Sequence, residues 1–177
     1  DLPEGQVVFV PRTAPGDRVR IRLGKMKKRW GKATVEEMLE QSPNRVKPVC
    51  ALFEECGGCS LQHIPYETQL EWKAQWVRDA LERIAHIQVE TPDVTPSPAP
   101  LGYRNRVTYT LRRLRGGRII AGFHALGRPA HVIEVKHECM LPEPELEGAW
   151  IQLRAVWGTG ARLLPGAGRL RLTLRKS

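Results

Sequence analysis

The chain has 177 residues and a formal net charge of +9 at pH 7. This length suits one ordinary domain or two small ones, and an apolar share of 41% provides for a packed core and excludes wholesale disorder. No apolar run reaches the roughly 18 residues that cross a bilayer, and the first ten residues lack the pattern of a signal peptide. We therefore expect a soluble, cytoplasmic protein that does not bind membranes and is a monomer.

The positive charge lies mainly in two regions on either side of an acidic middle. Residues 1–50 hold 11 Lys and Arg against 6 Asp and Glu, and residues 101–140 hold 8 against 2. Residues 51–100 reverse the balance, with 3 against 8. Two basic regions favour a polyanionic partner, most simply a nucleic acid, although a protein that is merely rich in arginine would show the same balance.

The first forty residues predict short β-strands. The stretch VVFV (7–10) is apolar and β-branched, and RVRIRL (18–23) alternates strictly, with Val19, Ile21 and Leu23 on one face and arginines on the other. The segment GKMKKRWGK (24–32) predicts a hairpin with a basic tip, which we define as Lys25, Lys27, Lys28 and Arg29. This pattern favours a small antiparallel β-barrel or sheet with a basic outer face.

The rest of the chain predicts a mixture of helices and strands, so the fold class is α+β. Apolar residues at helical spacing predict a helix over 66–85, with Pro65 at its start. Strict alternation places Val107, Tyr109 and Leu111 on one face of a strand in a β-meander over 103–136. The remaining predictions are linkers over 41–50 and 91–102, a helix over 143–158, a loop over 158–168 and a strand over 169–177.

Three of the four cysteines lie in the stretch CALFEECGGCSLQH (50–63). Their spacing is Cys50-x5-Cys56-x2-Cys59, and the fourth is Cys139. Structural disulfides need an oxidising compartment, of which the sequence gives no sign, and structural zinc sites usually come as two close pairs of ligands. An iron–sulfur cluster suits a loop with three ligands and one remote ligand. The spacing therefore favours a [4Fe–4S] cluster, with zinc or four unrelated buried cysteines as alternatives.

The cysteine stretch, the helix after it, GYRNRV (102–107) and HECMLP (137–142) occur in the order in which RNA uracil-5-methyltransferases carry similar motifs, and the chain resembles this family. These enzymes use S-adenosylmethionine to make 5-methyluridine in rRNA or tRNA, and many bacterial members carry a TRAM domain and a [4Fe–4S] cluster. Residues 7–50 resemble the later part of a TRAM domain, an OB-like RNA-binding barrel. The resemblance implies three parts: a TRAM-like barrel over 1–47 without its first strand, a cluster-binding loop over 48–65, and a central α+β domain over 66–177.

The resemblance also implies a set of site residues. The cluster ligands would be Cys50, Cys56, Cys59 and Cys139. The partner would be RNA, with rRNA favoured over tRNA. We expect the basic tip to contact phosphates and four further residues to contact splayed bases, although a role in the strand start or on a solvated face is equally open for them: Tyr103, Arg104, Asn105 and Arg106. We expect His63 to be a structural histidine.

Methylation of uracil at carbon 5 sets requirements that this chain does not meet. A cysteine thiolate must add to carbon 6, and a general base must remove the proton from carbon 5. All four cysteines are assigned to the cluster, and the Gly-rich residues 158–168 follow a predicted helix, not the strand of an S-adenosylmethionine site. We therefore expect the catalytic doubly wound domain to be absent and the chain alone to be inactive, as the substrate-recognition part of a methyltransferase. The alternative is a stand-alone iron–sulfur or zinc RNA-binding module.

Overall fold

The computed structural model describes residues 5–157, 161–162, 164–166 and 169–177. The chain is a mixed α+β protein, which confirms the predicted fold class. It divides into two compact units, one formed by the chain up to Lys47 with Ser60–Thr95 and the other by Pro48–Cys59 with the chain from Pro96 onward. In this division the cysteine-bearing residues 48–59 group with the C-terminal half and the helix after them with the N-terminal half. The three parts expected from the sequence stay a prediction.

The first unit contains a three-stranded sheet of β1 (Val7–Phe9), β2 (Arg18–Met26) and β3 (Trp30–Glu40) in the order β1-β3-β2. Strands β2 and β3 form the predicted antiparallel hairpin. Strand β1 pairs with β3 in parallel, so the prediction of a purely antiparallel sheet is wrong at this strand. The reason is that β1 and β2 run antiparallel to each other but lie on opposite sides of β3, instead of pairing directly. Closure into a barrel stays a prediction.

The alternation of β2 is preserved only over its first half. Val19 and Ile21 are half-buried as predicted, whereas Leu23 is 49% exposed. The register of β2 on β3 shifts between Arg20 and Ile21 and again between Leu23 and Met26. Leu23 follows Ile21 without a shift and pairs with the buried Ala33, so it keeps the predicted face, but its side chain is not covered there.

Helix α1 (Tyr66–Ala80) begins directly after Pro65, which occupies the N-cap position. Pro65 suits this position because its missing N–H would have no partner inside the helix. The helix continues as a π-helical turn, Leu81–Ala85, so the predicted range is helical throughout but not α-helical to its end. The predicted i,i+4 ion pair between Asp79 and Arg83 is present at 3.9 Å.

A buried carboxylate connects the loop before β2 to the segment after β3. The side chain of Asp17 is 1% exposed. Its oxygens accept hydrogen bonds from the amides of Ala14 and Ser42 at 2.6 and 2.9 Å, and from the Nε and a terminal nitrogen of Arg45 at 2.7 and 2.5 Å. The bonds from Arg45 hold the pKa of Asp17 well below its usual range. The fold of this unit thereby stabilises the ionised form of Asp17.

The second unit contains an antiparallel sheet of β4 (Arg106–Arg113), β5 (Ile119–Ala125), β6 (Arg128–Glu134) and β7 (Arg169–Arg175) in the order β6-β5-β4-β7. The first three strands are the predicted meander, and β7 is the predicted last strand. The turn between β4 and β5 contains Gly116 and Gly117, both with φ near +85°, a region that favours glycine.

The core of this unit lies between the sheet and helix α2 (Pro144–Trp157). Val107, Tyr109 and Leu111 are all at most 4% exposed, which confirms their predicted inward face. The Tyr109 and Trp150 rings are stacked with centroids 3.7 Å apart, and the Trp150 Nε1–H donates to the carbonyl oxygen of Val135 at 3.2 Å. Aromatic stacking and a satisfied indole N–H together fix α2 on the sheet.

Two further predictions concern features beyond these sheets. Most of the predicted loop at 158–168 lies outside the described residues. Among the helices that the structure describes, none has the length and apolar character needed to cross a membrane.

Candidate metal centre and RNA-binding surfaces

All four cysteines belong to the second unit, and the structure records them as thiols. The cysteine loop, residues 50–59, packs on the end of β5. The Gly57 amide donates to the carbonyl oxygen of His124 at 2.9 Å, and the Leu126 amide donates to that of Glu55 at 2.8 Å. Cys56 forms an isolated antiparallel bridge with Ala125 between these two bonds. The backbone thereby fixes Cys56 against the sheet.

The beginning of the cysteine loop lies against the segment that leads to the fourth cysteine. The Cys50 thiol donates to the carbonyl oxygen of Glu138 at 3.4 Å. Turn hydrogen bonds inside the loop join Phe53 N to Cys50 O at 3.1 Å and Cys56 N to Leu52 O at 2.8 Å. Phe53 is 3% exposed and anchors this turn. The fold thus brings Cys50 to the residue next to Cys139.

The pKa values of Cys50 and Cys139 respond to the neighbouring thiols. Burial, together with the thiols of Cys50, Cys59 and Cys56, raises the pKa of Cys139 to about 11. Burial also raises the pKa of Cys50, and the neighbouring thiols of Cys59 and Cys56 contribute to this rise. Partly buried thiolates near one another would repel, and a bound cation would remove this repulsion. The donor set therefore suits a thiolate-bound metal group.

The two glycines of the loop allow its backbone to pass close to its neighbours. A Cβ atom on Gly57 would lie 3.1 Å from the carbonyl oxygen of His124. The Gly58 amide points at the sulfur of Cys56, with 3.4 Å between N and Sγ. Amide hydrogen bonds to ligand sulfurs are one of the ways in which proteins tune iron–sulfur clusters.

The spacing of the side chains in the described residues does not fit a single metal ion. In the parts of the chain that the structure describes, which include all four cysteines, no group of three or more His, Cys, Asp or Glu side chains is spaced to hold a single metal ion. Four thiolates on one zinc ion would each lie about 2.3 Å from it. A [4Fe–4S] cluster binds each thiolate to a different iron atom and so requires a wider set.

Residues 102–104, at the start of the predicted base-contacting segment, are hydrogen-bonded to the residues that follow Cys139. The amides of Gly102 and Arg104 donate to the carbonyl oxygens of Met140 and Leu141, both at 2.9 Å. The amide of Glu143 donates back to the carbonyl oxygen of Arg104 at 3.0 Å. The residues that follow Cys139 and the start of the predicted base-contacting segment therefore share one short ladder.

The four residues of that segment differ in exposure. Tyr103 is 51% exposed, and Asn105 and Arg106 are exposed as well. Arg104 is half-buried, with its Cζ atom 6.0 Å from the centroid of the Tyr103 ring. The exposed side chains are accessible to a ligand, which RNA contacts require.

The basic tip lies in the first unit, and all four of its residues are exposed. The neighbouring arginines of β2 are paired with acidic residues of β3: Arg18 with Glu40, Arg20 with Glu37 and Arg22 with Glu36. Residues 24–32 contain no Asp or Glu, so the uncompensated positive charge of this hairpin is concentrated at its tip.

His63 has the structural role predicted for it. It is 2% exposed, and its Nε2 atom lies 3.3 Å from the carbonyl oxygen of Thr13. Burial lowers its pKa, so the neutral ring is favoured.

Two groups of residues near the candidate sites were not predicted from the sequence. The carbonyl groups of His124 and Glu138 support the cysteine loop, and no side-chain pattern could identify backbone acceptors. Phe9 and Trp30 lie beside the basic tip and are described below. Their signal was present, because Trp30 directly follows Arg29 and aromatic residues next to basic residues are typical of nucleic-acid surfaces.

No family model matches the chain. It is 40% identical over 144 residues to an uncharacterised RNA methyltransferase of Thermosynechococcus vestitus, covering 81% of this chain and 31% of the relative. It is 41% identical over 142 residues to one of Synechocystis sp., covering 80% and 30%. Among solved structures, it is similar to the Pyrococcus abyssi tRNA (uracil-54, C5)-methyltransferase in complex with S-adenosyl-L-homocysteine. That match has 32% identity and a TM-score of 0.55, and covers 85% of this chain and 32% of the other.

These similarities confirm the resemblance read from the motifs. The chain spans about a third of the length of the relatives that it matches. By its sequence and its fold, it belongs to the family of RNA methyltransferases that contains them.

Proposed function

We propose that the chain is the RNA-recognition part of an RNA uracil-5-methyltransferase, which transfers a methyl group from S-adenosylmethionine to carbon 5 of a uracil in rRNA. The observation that carries this proposal is the match to RNA methyltransferases over four fifths of the chain but only a third of theirs. The catalytic cysteine and the S-adenosylmethionine site would lie in the other two thirds of such a protein. This chain alone would bind RNA without methylating it.

In this proposal Cys50, Cys56, Cys59 and Cys139 hold a [4Fe–4S] cluster. Support comes from their position in one unit, their mutual electrostatic influence and the contact between Cys50 and the residue before Cys139. When bound, the cluster would supply a rigid covalent connection between distant parts of the chain. Methyl transfer moves no net electrons, so no redox step is required of it.

The residues around the cysteines would then orient the RNA contacts. Holding Cys139 fixes Met140 and Leu141, and their carbonyl groups hold the backbone of Gly102 and Arg104. Tyr103 would stack on an unpaired base, and Asn105 and Arg106 would donate hydrogen bonds to base edges or phosphates. In the first unit, the basic tip would contact phosphates along the same RNA.

Binding of the purified chain to fragments of rRNA and to tRNA transcripts tests the proposal. We expect binding to rRNA that weakens steeply with salt, and no methylation when S-adenosylmethionine is added. A chain that binds neither RNA at low salt would contradict RNA recognition. Preferential binding to tRNA would contradict rRNA as the substrate but leave RNA recognition intact.

A further inference from the structure

An aromatic pair, the exposed Phe9 and the half-buried Trp30, lies beside the basic tip in the first unit. Phe9 is 58% exposed, and its ring meets that of Trp30 edge to face, with centroids 6.1 Å apart. Val7, on the same strand as Phe9, is 54% exposed. Two large apolar side chains that remain this accessible on one short strand mark a candidate binding surface.

The backbone fixes this pair against the tip. Strand β1 pairs in register with the start of β3, so that Val7 lies opposite Trp30 and Phe9 opposite Lys32. Paired residues and their second neighbours share a face of the sheet, so these four side chains lie together. Gly31, between Trp30 and Lys32, belongs to the opposite face and is buried. The Val7 amide donates to the carbonyl oxygen of Arg29 at 3.1 Å, which joins the aromatic surface directly to the tip.

The surface has an apolar floor and a positive rim. Five residues line an open depression of about 490 Å³: Val7, Phe9, Arg29, Trp30 and Lys32. The Nζ atom of Lys27 lies 4.6 Å from the centroid of the Trp30 ring. Among the residues that the structure describes, no acidic side chain lines this depression, so a ligand with a flat apolar part and negative charges beside it would match both features.

We infer that this surface binds an unpaired base of single-stranded RNA, with the base stacked against Phe9 and Trp30 and the adjacent phosphates on Lys27, Arg29 and Lys32. Every base has a π-face, so aromatic side chains in a basic groove bind single strands without a sequence requirement. A purely apolar protein segment would leave the three cations without partners. The inference rests on the proposed function and adds a base-binding subsite to the phosphate contacts of the basic tip.

The test compares the binding of two fluorescent probes. One is an oligouridylate of about ten nucleotides, a length within the range that one OB-like surface covers. The other is an abasic ribose-phosphate oligomer with the same number of phosphates. We expect the chain to bind the oligouridylate more tightly. Phe9→Ala should weaken that binding about tenfold and leave binding of the abasic oligomer unchanged, since stacking contributes on this scale per base. Phe9→Trp should retain the affinity. The matched control is Trp76→Ala, since Trp76 is 55% exposed on α1, and it should have no effect.

The possible outcomes separate the inference from the proposed function. A chain that binds neither probe nor any RNA would contradict both. Equal affinity for the two probes, unaffected by Phe9→Ala, would overturn the base subsite while phosphate recognition stands. If Phe9→Ala lowers the melting temperature but not the affinity, Phe9 is a packing residue that another segment covers, and the inference is wrong.

Discussion

The Cys50 thiol lies 3.4 Å from the carbonyl oxygen of Glu138, although the two residues are 88 positions apart in the sequence. This contact places the cysteine loop next to the residue that precedes Cys139. From Cys139 the chain continues directly into the ladder that holds Gly102 and Arg104. A metal group on the four cysteines would therefore act on the position of the predicted RNA contacts.

Replacing the fourth cysteine should release this ladder. We expect Cys139→Ala to lose the bound iron and to speed hydrogen exchange at the Arg104 amide about tenfold, which corresponds to about 1.4 kcal/mol of lost local stability. The neighbouring substitution Met140→Ala is the control, because Met140 is 44% exposed and contributes its backbone to the ladder. A Cys139→Ala chain with full iron content would show that Cys139 is not a ligand.

A methyl group at Gly57 should disturb the packing of the cysteine loop on β5. The added Cβ would lie 3.1 Å from the carbonyl oxygen of His124, which accepts the bond from the Gly57 amide. We expect Gly57→Ala to cost about 1–2 kcal/mol in urea unfolding and to lower the metal content. Gly148→Ala in α2 is the opposite case, since its Cβ meets nothing within 4 Å and alanine is the better helix former by about 1 kcal/mol. Equal effects of the two substitutions would refute this reading of the loop.

Alternation predicted those parts of the fold in which one face is buried. The prediction that Val107, Tyr109 and Leu111 form the inward face of β4 was correct because helix α2 covers this face. The predicted burial of Leu23 was wrong because the pattern of apolar residues does not show how fully each position on a face is covered. The parallel pairing of β1 was missed because a three-residue strand carries no signal for its direction.

The sequence could name the side chains of the candidate site but not its backbone contacts. The spacing of the cysteines and the order of the motifs predicted Cys50 and Cys139 as ligands of one cluster, which stays a prediction. The carbonyl group of Glu138 contacts Cys50, and those of Met140 and Leu141 accept bonds from Gly102 and Arg104; any residue type could supply these carbonyl groups. The ion pair of Asp17 with Arg45 was also missed, since two charged residues 28 positions apart give no local pattern.

Removing the buried carboxylate should destabilise the first unit in a pH-dependent way. The pKa of Asp17 is lowered in the folded chain, whereas an unfolded aspartate titrates near pH 3.9. Its contribution is therefore complete above about pH 5 and is lost as the pH falls through 3.9 towards the folded pKa. We expect Asp17→Asn to cost about 3 kcal/mol in urea unfolding at neutral pH, because Arg45 is left without its carboxylate.

The difference in the free energy of unfolding between the wild-type chain and Asp17→Asn should become smaller as the pH falls towards about 3. The control is Asp93→Asn, an exposed position in the same unit, which should change little. A difference that is independent of pH would show that Asp17 acts through its shape and neutral hydrogen bonds alone.

The basic tip should determine how strongly RNA binding depends on salt. Each phosphate contact on single-stranded RNA contributes about 0.7 to the slope of log affinity against log salt. The double substitution Lys25→Gln with Lys28→Gln should lower the magnitude of the slope by about 1.4. Lys73→Gln, at an exposed position on α1, removes a positive charge from the same unit and should leave the slope unchanged. A slope that the double substitution does not alter would place the phosphate contacts elsewhere.

The central claim is that four cysteines from two distant segments hold one iron–sulfur cluster beside the predicted RNA contacts. The most direct test is the iron, acid-labile sulfide and zinc content of the chain purified without oxygen, together with its visible spectrum. The account predicts about four iron atoms and four sulfides per chain. One zinc ion without sulfide, or thiols that bind no metal, would contradict it.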